Sequence, residues 1–220
     1  MKILTKWLRA YLPGMTVDDA QLAEDLTLRG IAVEGNYPLG EGNGPLYEMD
    51  ITTNRVDAMN HYGVAREAAA IYGLKLPELH YALPKIRPAA DPFPVRIEAE
   101  DACGRFTARV LRDVTIGESR DWFAGAEVAT YFRLLEQKMI SNAVDATNYA
   151  WLAMGQPTHV FDLDKIEGGI IVRRAHKGER LKTLDGVERV LDSDDLVVAD
   201  HAKALGLAGV MGGWDTMITA

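Results

Sequence analysis

Apolar residues recur at helical spacing in several stretches of the chain. In the first stretch Leu4, Leu8 and Leu12 lie four residues apart, and Pro13-Gly14 follow them directly. This spacing is typical of an amphipathic helix, which proline and glycine then end. By the same pattern, together with capping residues and closing glycines, we predict helices over Leu4–Leu12, Thr16–Gly30, Val64–Ile71, Ser119–Gln137 and Val144–Met154.

Elsewhere, short apolar runs alternate with polar residues or end at turn residues, as strands do. From Ile170 onward the pattern is strand throughout, and Asp185-Gly186 predicts a hairpin turn within it. Helices and strands that are grouped in this way predict an α+β fold. We predict strands over Ile31–Glu34, Tyr47–Ile51, Val95–Ala99, Phe106–Val114, Ile170–Arg174, Leu181–Leu184, Val187–Leu191 and Leu196–Ala199.

Closely spaced prolines separate two parts of the chain. Pro84, Pro88, Pro92 and Pro94 cannot lie inside a helix or a central strand. We therefore predict a small N-terminal α/β domain at 1–83, a proline-rich linker at 84–94, and a mixed α/β domain with antiparallel strands at 95–220.

Composition excludes several classes of protein and of site. Cys103 is the only cysteine, which excludes an intramolecular disulfide and a cysteine-based zinc site and fits a reducing cytoplasm. We expect no bound metal. We also expect no membrane association, because residues 1–14 are too short and too interrupted for a signal peptide or a membrane span. The net charge of −8 means that RNA, if bound, must be met by a local patch.

One basic stretch stands out in this acidic chain, and two interpretations of it stay open. It either contacts RNA or forms a solvated hairpin edge, where lysine and arginine oppose aggregation. The stretch consists of Arg173, Arg174, His176, Lys177, Arg180 and Lys182.

Two polar segments lie at or inside predicted helices. Thr53–Asp57, followed by Gly63–Ala68, fits a helix cap and close packing. Asp145–Tyr149 places Thr147 and Asn148 inside a helix, which both residue types disfavour. Their side chains therefore face either a ligand or a neighbouring loop.

Two further segments are candidates for a binding or catalytic site. Gly155–Asp162 contains His159, which is a general base, a hydrogen-bonding orienting group, a ligand or a structural residue. No serine or cysteine nucleophile pattern accompanies it. Gly206–Gly213 is rich in small residues, which let a backbone approach a ligand or pack closely. A dinucleotide-binding domain has little support, since these glycines lack the G-x-G-x-x-G spacing and its context.

Taken together, these segments resemble the phenylalanyl-tRNA synthetase β-chain family, in that family's order and over nearly the whole chain. The segments that carry the resemblance are Asn54-Arg55-x-Asp57, Gly63–Glu67, Val144–Tyr149, Gly155–Asp162, Lys165–Ile170, Leu184–Gly186, Val198–His201 and Gly212-Gly213.

The resemblance implies a fold and a function. The part at 95–220 corresponds to an incomplete B3/B4 editing domain, which hydrolyses tyrosine wrongly attached to tRNA(Phe). Editing makes physical sense, because a pocket built for phenylalanine rejects one extra hydroxyl poorly. The implied catalytic residue is His159, and the implied substrate-binding residues are Asn148, Leu184, Ala208, Gly209 and Gly212.

The resemblance also implies cofactors and partners. We expect no cofactor in this chain, and ATP and magnesium in the complete enzyme. The implied partners are tRNA(Phe) and the synthetase α subunit, in a cytoplasmic heterotetramer. The synthetic site, the glutamate that contacts the tyrosine hydroxyl, and a threonine- and alanine-containing stretch are expected beyond Ala220. We therefore expect the isolated chain to deacylate Tyr-tRNA(Phe) feebly or not at all.

The chain departs from the family pattern in places, and one alternative function stays open. A short loop at 37–45 stands where the family has an inserted OB-fold, the helix after Ser119 is longer by about one turn, and Lys138 replaces an arginine. The alternative is a non-catalytic tRNA- or protein-binding module that has lost the editing site.

Overall fold

The computed structural model describes residues 1–40, 42–80, 92–122 and 126–219. The chain divides into two compact units, each built from two separated segments. Unit 1 comprises Met1–Tyr81 and Gly117–Thr158, and unit 2 comprises Ala82–Ile116 and His159–Ala220. The mixture of helices and largely antiparallel strands confirms the α+β class. The predicted domain ranges stay a prediction. Of the linker predicted at 84–94, residues 84–91 lie outside the described residues.

The described residues of unit 1 form five α-helices, which pack with a three-stranded antiparallel sheet of order β1-β3-β2. The helices begin where side chains satisfy their first backbone N–H groups, as when Asn60 accepts from the Gly63 N–H at 2.7 Å and begins α3. The elements are β1 (Lys2–Leu4), α1 (Thr5–Tyr11), α2 (Asp19–Leu28), β2 (Ala32–Pro38), β3 (Pro45–Asp50), α3 (His61–Ile71), α4 (Val128–Leu134) and α5 (Asn142–Met154).

A fully buried histidine ties three elements of unit 1 together. The Leu4 N–H at the end of β1 donates to His61 Nε2 at 3.1 Å. The opposite nitrogen, Nδ1, therefore carries the proton and donates it to the Leu152 carbonyl of α5 at 2.8 Å. Trp7 stacks on the imidazole with ring centroids 4.1 Å apart. Burial lowers the pKa of His61 to about 4, against the Leu152 hydrogen bond that favours protonation.

Unit 2 contains a five-stranded sheet of order β10-β9-β8-β5-β4 and a separate β6–β7 hairpin. Strand β4 is parallel to β5, and the other neighbours are antiparallel. Apolar residues of the hairpin and the sheet, such as Leu181, Leu191 and Val197, form a buried cluster. The strands are β4 (Val95–Ile97), β5 (Ile170–Arg174), β6 (Arg180–Lys182), β7 (Glu188–Val190), β8 (Leu196–Ala199), β9 (Ala204–Leu207) and β10 (Met211–Gly212).

One predicted strand is wrong, and one predicted helix is shorter than predicted and begins later. Phe106–Val114 is not a strand, because its backbone finds no pairing partner among the described residues, and Leu111 and Val114 stay exposed. Ser119 does not cap a helix, since its hydroxyl donates to the buried carboxylate of Asp145 at 2.5 Å. Helix α4 begins instead at Val128, and residues 123–125 of the predicted helix lie outside the described ones.

In the part of the chain that the structure describes, no helix is both long enough and apolar enough to cross a bilayer.

Candidate functional site

Gly212 lies in the short edge strand β10, at the end of the β9–β10 hairpin. It pairs with Gly206 of β9. The turn between the strands is closed by the Val210 N–H, which donates to the Leu207 carbonyl at 3.1 Å. Gly209 occupies the third position of this turn with φ of 72°, a conformation that favours glycine. Gly212, by contrast, has no positive φ.

Leu184 is brought to Gly212 by the loop of the β6–β7 hairpin. The Gly186 N–H donates to the Thr183 carbonyl at 2.8 Å, and Gly186 has φ of 81°. This is a three-residue loop of the type that ends in a left-handed glycine. Leu184 is therefore the first loop residue and not the predicted end of a strand. Its N–H donates to the Gly212 carbonyl at 2.9 Å.

His159 is the third residue of this site. It lies in the irregular part of the Gly155–Asp162 motif, after the end of α5. The segment is fixed by Asp162, whose N–H donates to the Thr216 carbonyl at 3.0 Å. The His159 ring meets Phe161 edge to face, with centroids 4.6 Å apart. A β-carbon placed on Gly212 would lie 2.2 Å from His159 Cε1 and 3.1 Å from Leu184 Cδ1. The imidazole and the leucine thus face the same point above the Gly212 backbone.

The electrostatic environment of His159 favours the neutral imidazole. The residue as a whole is exposed, yet neighbouring groups exclude water from part of its ring, and this desolvation lowers the pKa of His159 below its ordinary value. Within the described residues the ring makes no hydrogen bond or ion pair. A neutral imidazole with a free lone pair can accept a proton from water or from a hydroxyl group.

A polar network behind Leu184 was not foreseen from the sequence, although Asp185 marked the hairpin. Thr183 is fully buried, and its hydroxyl donates to the Asp185 carboxylate. Arg189 contacts both, with Nε donating to Thr183 Oγ1 at 3.0 Å and Nη2 donating to Asp185 Oδ2 at 2.7 Å. The Thr183 hydroxyl, the Val187 N–H and the Arg189 charge hold the pKa of Asp185 below its ordinary value. The alternation pattern gave no signal for this network, because it depends on loop geometry.

The remaining predicted site residues lie elsewhere. Ala208 and Gly209 form the tip of the β9–β10 turn, three to four residues before Gly212. Asn148 is half-buried on α5 and belongs to unit 1. The structure thus brings His159, Leu184 and Gly212 together in unit 2, and a shared cleft with Asn148 stays a prediction.

Most charges of the basic stretch are already paired. Arg173 forms a bidentate pair with Glu179 at 2.7 and 2.9 Å. Lys182 lies over the Trp214 ring, with Nζ 4.6 Å from its centroid. The other arginine pairs are Arg174 with Asp101 and Arg180 with Glu188. These contacts favour the interpretation of the stretch as a hairpin edge.

A separate cavity of about 550 Å³ opens in unit 2 beside the Arg173–Glu179 pair. Its lining includes His176, Lys177 and His201, and none of the predicted site residues. This cavity is therefore distinct from the space beside His159 and Gly212.

Several motif residues have structural roles. Arg55 forms ion pairs with Asp57 (Nε to Oδ1, 3.0 Å) and with Glu67 (Nη2 to Oε1, 2.8 Å). These pairs connect the segment before α3 to that helix. Burial disfavours the charge on Asp200, but N–H groups of Glu167, Ala202 and Lys203 outweigh it and lower the pKa of that carboxyl.

Neither a dinucleotide site nor a metal site is found among the described residues. Gly206–Gly213 forms a β-hairpin and not the turn between a strand and a helix that cradles a dinucleotide. Among the described residues, no group of three or more histidine, cysteine or acidic side chains is arranged to hold a metal ion.

Comparison with known proteins shows the family to which the chain belongs. The model of the B3/4 domain family matches residues 102–220 of the 220, so the chain belongs to the B3/4 domain family. The chain is also similar to phenylalanine–tRNA ligase β subunits, with 46% identity over 83% of the chain for Anaeromyxobacter dehalogenans and 38% over 93% for Fusobacterium nucleatum. It spans 23% and 26% of the lengths of these two relatives.

A solved structure gives a further comparison. An N-terminal fragment of the phenylalanyl-tRNA synthetase β-subunit from Pyrococcus horikoshii aligns with 100% of the chain and 64% of the fragment, at 16% identity and a TM-score of 0.49. The family match and the curated relatives confirm the predicted resemblance to the β-chain family.

Proposed function

We propose that this chain serves as part of the β subunit of a cytoplasmic phenylalanyl-tRNA synthetase, and that the site at His159 and Gly212 helps hydrolyse tyrosine wrongly attached to tRNA(Phe). An α subunit would be its partner, and ATP and magnesium would serve aminoacylation in the complete enzyme. The observation that carries the proposal is the packing of the His159 imidazole onto Gly212. Both residues lie inside the segment that matches the B3/4 family.

In this proposal His159 acts on water or on the terminal adenosine of the tRNA. The proposed reaction is a hydrolysis, and no serine or cysteine nucleophile pattern accompanies His159 in the sequence, so we take water as the attacking group. Desolvation lowers the pKa of His159 and so favours the neutral ring. The neutral ring has a lone pair that can accept a proton as water attacks the ester carbon. The proton then passes to the ribose oxygen that leaves, and free tyrosine and uncharged tRNA result.

Gly212 and Leu184 would set the size of the space for the aminoacyl group. A side chain at Gly212 would displace the His159 ring and crowd Leu184, since its β-carbon alone would lie 2.2 Å from His159 Cε1 and 3.1 Å from Leu184 Cδ1. A second, hydrolytic sieve is useful here because one added hydroxyl is hard to reject by binding alone.

A Gly212→Trp change in the assembled synthetase tests the proposal. The large side chain should fill the site, so tyrosine accumulates on tRNA(Phe) while thermal melting stays close to that of the parent enzyme. A parent enzyme that binds tRNA(Phe) but never releases tyrosine from it would favour the non-catalytic binding module instead.

A further inference from the structure

The β6–β7 hairpin holds one loop residue against the candidate site by contacts on two sides. On one side the Leu184 N–H donates to the Gly212 carbonyl, and on the other the Trp214 N–H donates to the Lys182 carbonyl at 2.8 Å. The backbone on both sides of Thr183 is therefore bonded to the segment Gly212–Trp214, which begins at the end of β10. A shift of the hairpin loop would move the Leu184 side chain relative to Gly212.

Behind Leu184, the loop conformation depends on a buried hydroxyl. The Thr183 hydroxyl has no access to water. It donates to the Asp185 carboxylate and accepts from Arg189 Nε. Without Arg189 this buried oxygen loses its only donor among the described residues, and the neighbouring carboxylate loses its counter-charge.

The network has a different geometry from an ordinary surface ion pair. The same hairpin has such a pair in Arg180 and Glu188, whose side chains are 70% and 55% exposed. Exposed pairs of this kind contribute little to stability. Arg189 instead joins the two residues that flank Leu184, because it contacts Thr183 before it and Asp185 after it.

We propose that Arg189 is a positioning residue of this site. By joining Thr183 to Asp185 it fixes the loop that presents Leu184, and so fixes the wall of the space beside Gly212 and His159. This inference rests on the proposed editing function for its consequence, namely that Arg189 sets the discrimination between tyrosyl and phenylalanyl esters. The position of Leu184 itself does not depend on that function.

The position is tested on the 220-residue chain by NMR with labelled leucine methyl and histidine ring groups. The parent chain should show magnetisation transfer between Leu184 methyl protons and the His159 ring. Arg189→Met should abolish or strongly weaken it, whereas the matched control Arg180→Met, which removes the same charge from the same hairpin, should leave it unchanged. If Arg189→Met does not fold, Arg189→Lys serves in its place, because lysine keeps the charge but loses the fork that reaches both partners.

The consequence is tested in the assembled synthetase by the ratio of the rates at which tyrosine and phenylalanine are released from tRNA(Phe). Arg189→Met should lower this ratio about tenfold, with no change for Arg180→Met. Unchanged transfer between Leu184 and His159 in a folded Arg189 variant would overturn the positioning role. A third outcome separates the two proposals. If Arg189→Met abolishes the Leu184–His159 transfer but the parent synthetase releases no tyrosine from tRNA(Phe), the positioning role stands and the editing function is rejected.

Discussion

The imidazole of His159 lies directly over the backbone of Gly212. A β-carbon on Gly212 would lie 2.2 Å from His159 Cε1 and 2.7 Å from Nε2, closer than such atoms can approach. The φ of Gly212 is not positive, so its conformation would accept other residues. Glycine is needed at position 212 because of what lies above it, and the histidine ring is the first group that a side chain would displace.

A Gly212→Ala change should therefore move His159 without unfolding the chain. His159 is an exposed side chain and can rotate away, so the melting temperature should change little. In the assembled synthetase, hydrolysis of Tyr-tRNA(Phe) should fall about 100-fold, the effect of misplacing a catalytic group by about 1 Å. Histidine ring NMR signals and deacylation rates, measured beside thermal melting, check this expectation.

Gly209→Ala is the matched control. Gly209 has φ of 72° and open space around its missing β-carbon. Alanine there should cost about 1–2 kcal/mol of stability and leave the His159 ring signals in place. If Gly212→Ala lowered the melting temperature as Gly209→Ala does, with the ring signals unmoved, Gly212 would be only a structural glycine.

Stability should depend on pH through His61. Its pKa is about 4 in the folded chain and near 6.5 when unfolded, so the unfolded chain binds the additional proton. The stabilising contribution is complete above about pH 6.5 and is lost as the pH falls toward 4, by about 3 kcal/mol in all. Protonation also removes the lone pair that accepts from the Leu4 N–H.

A His61→Gln variant isolates this contribution. The difference in unfolding free energy between the parent chain and the variant, measured from pH 7 to pH 5, should shrink as the pH falls. A difference that is constant over this range would show that His61 does not titrate with folding.

The Arg173–Glu179 pair should matter for stability far more than its neighbour Arg180–Glu188. Its side chains are only 12% and 13% exposed, and the Arg173 hydrogen bonds lower the pKa of Glu179 to about 2 against the effect of burial. Glu179→Gln should lower the unfolding free energy by about 1–3 kcal/mol, since a mostly buried guanidinium loses its partner. Glu188→Gln should change it by less than about 0.5 kcal/mol. Urea denaturation of both variants at pH 7 measures the two effects, and equal losses would contradict the assignment.

Periodicity predicted most of the regular elements, because they follow local rules. Helix α5 ends at Met154 as predicted, and β5 and β8 have the predicted bounds. Such segments have apolar faces whose spacing is visible in the sequence itself. The candidate site was found in another way, through the family resemblance, since His159 alone did not distinguish a catalytic residue from a structural one.

What sequence reasoning missed depends on partners that are distant along the chain. Phe106–Val114 has strand-like composition, but in the described part of the chain no neighbouring strand pairs with it, and strand propensity alone does not supply one. Ser119 resembles a helix cap in the sequence, but its hydroxyl bonds to Asp145, which is 26 residues away and gives no local signal. The Thr183–Asp185–Arg189 network depends on a three-residue loop that begins at Leu184. The sequence pattern instead places Leu184 in a strand, so it does not predict this network.

The most direct test of the account is the rate of Tyr-tRNA(Phe) deacylation by the assembled synthetase with His159→Ala, under conditions where the enzyme is in excess. The rate should be about 100- to 10,000-fold lower than that of the parent enzyme. Aminoacylation and melting temperature should be unchanged, because His159 is exposed and forms no hydrogen bond within the described residues. Deacylation at the parent rate by the folded His159→Ala enzyme would show that His159 is not a catalytic residue.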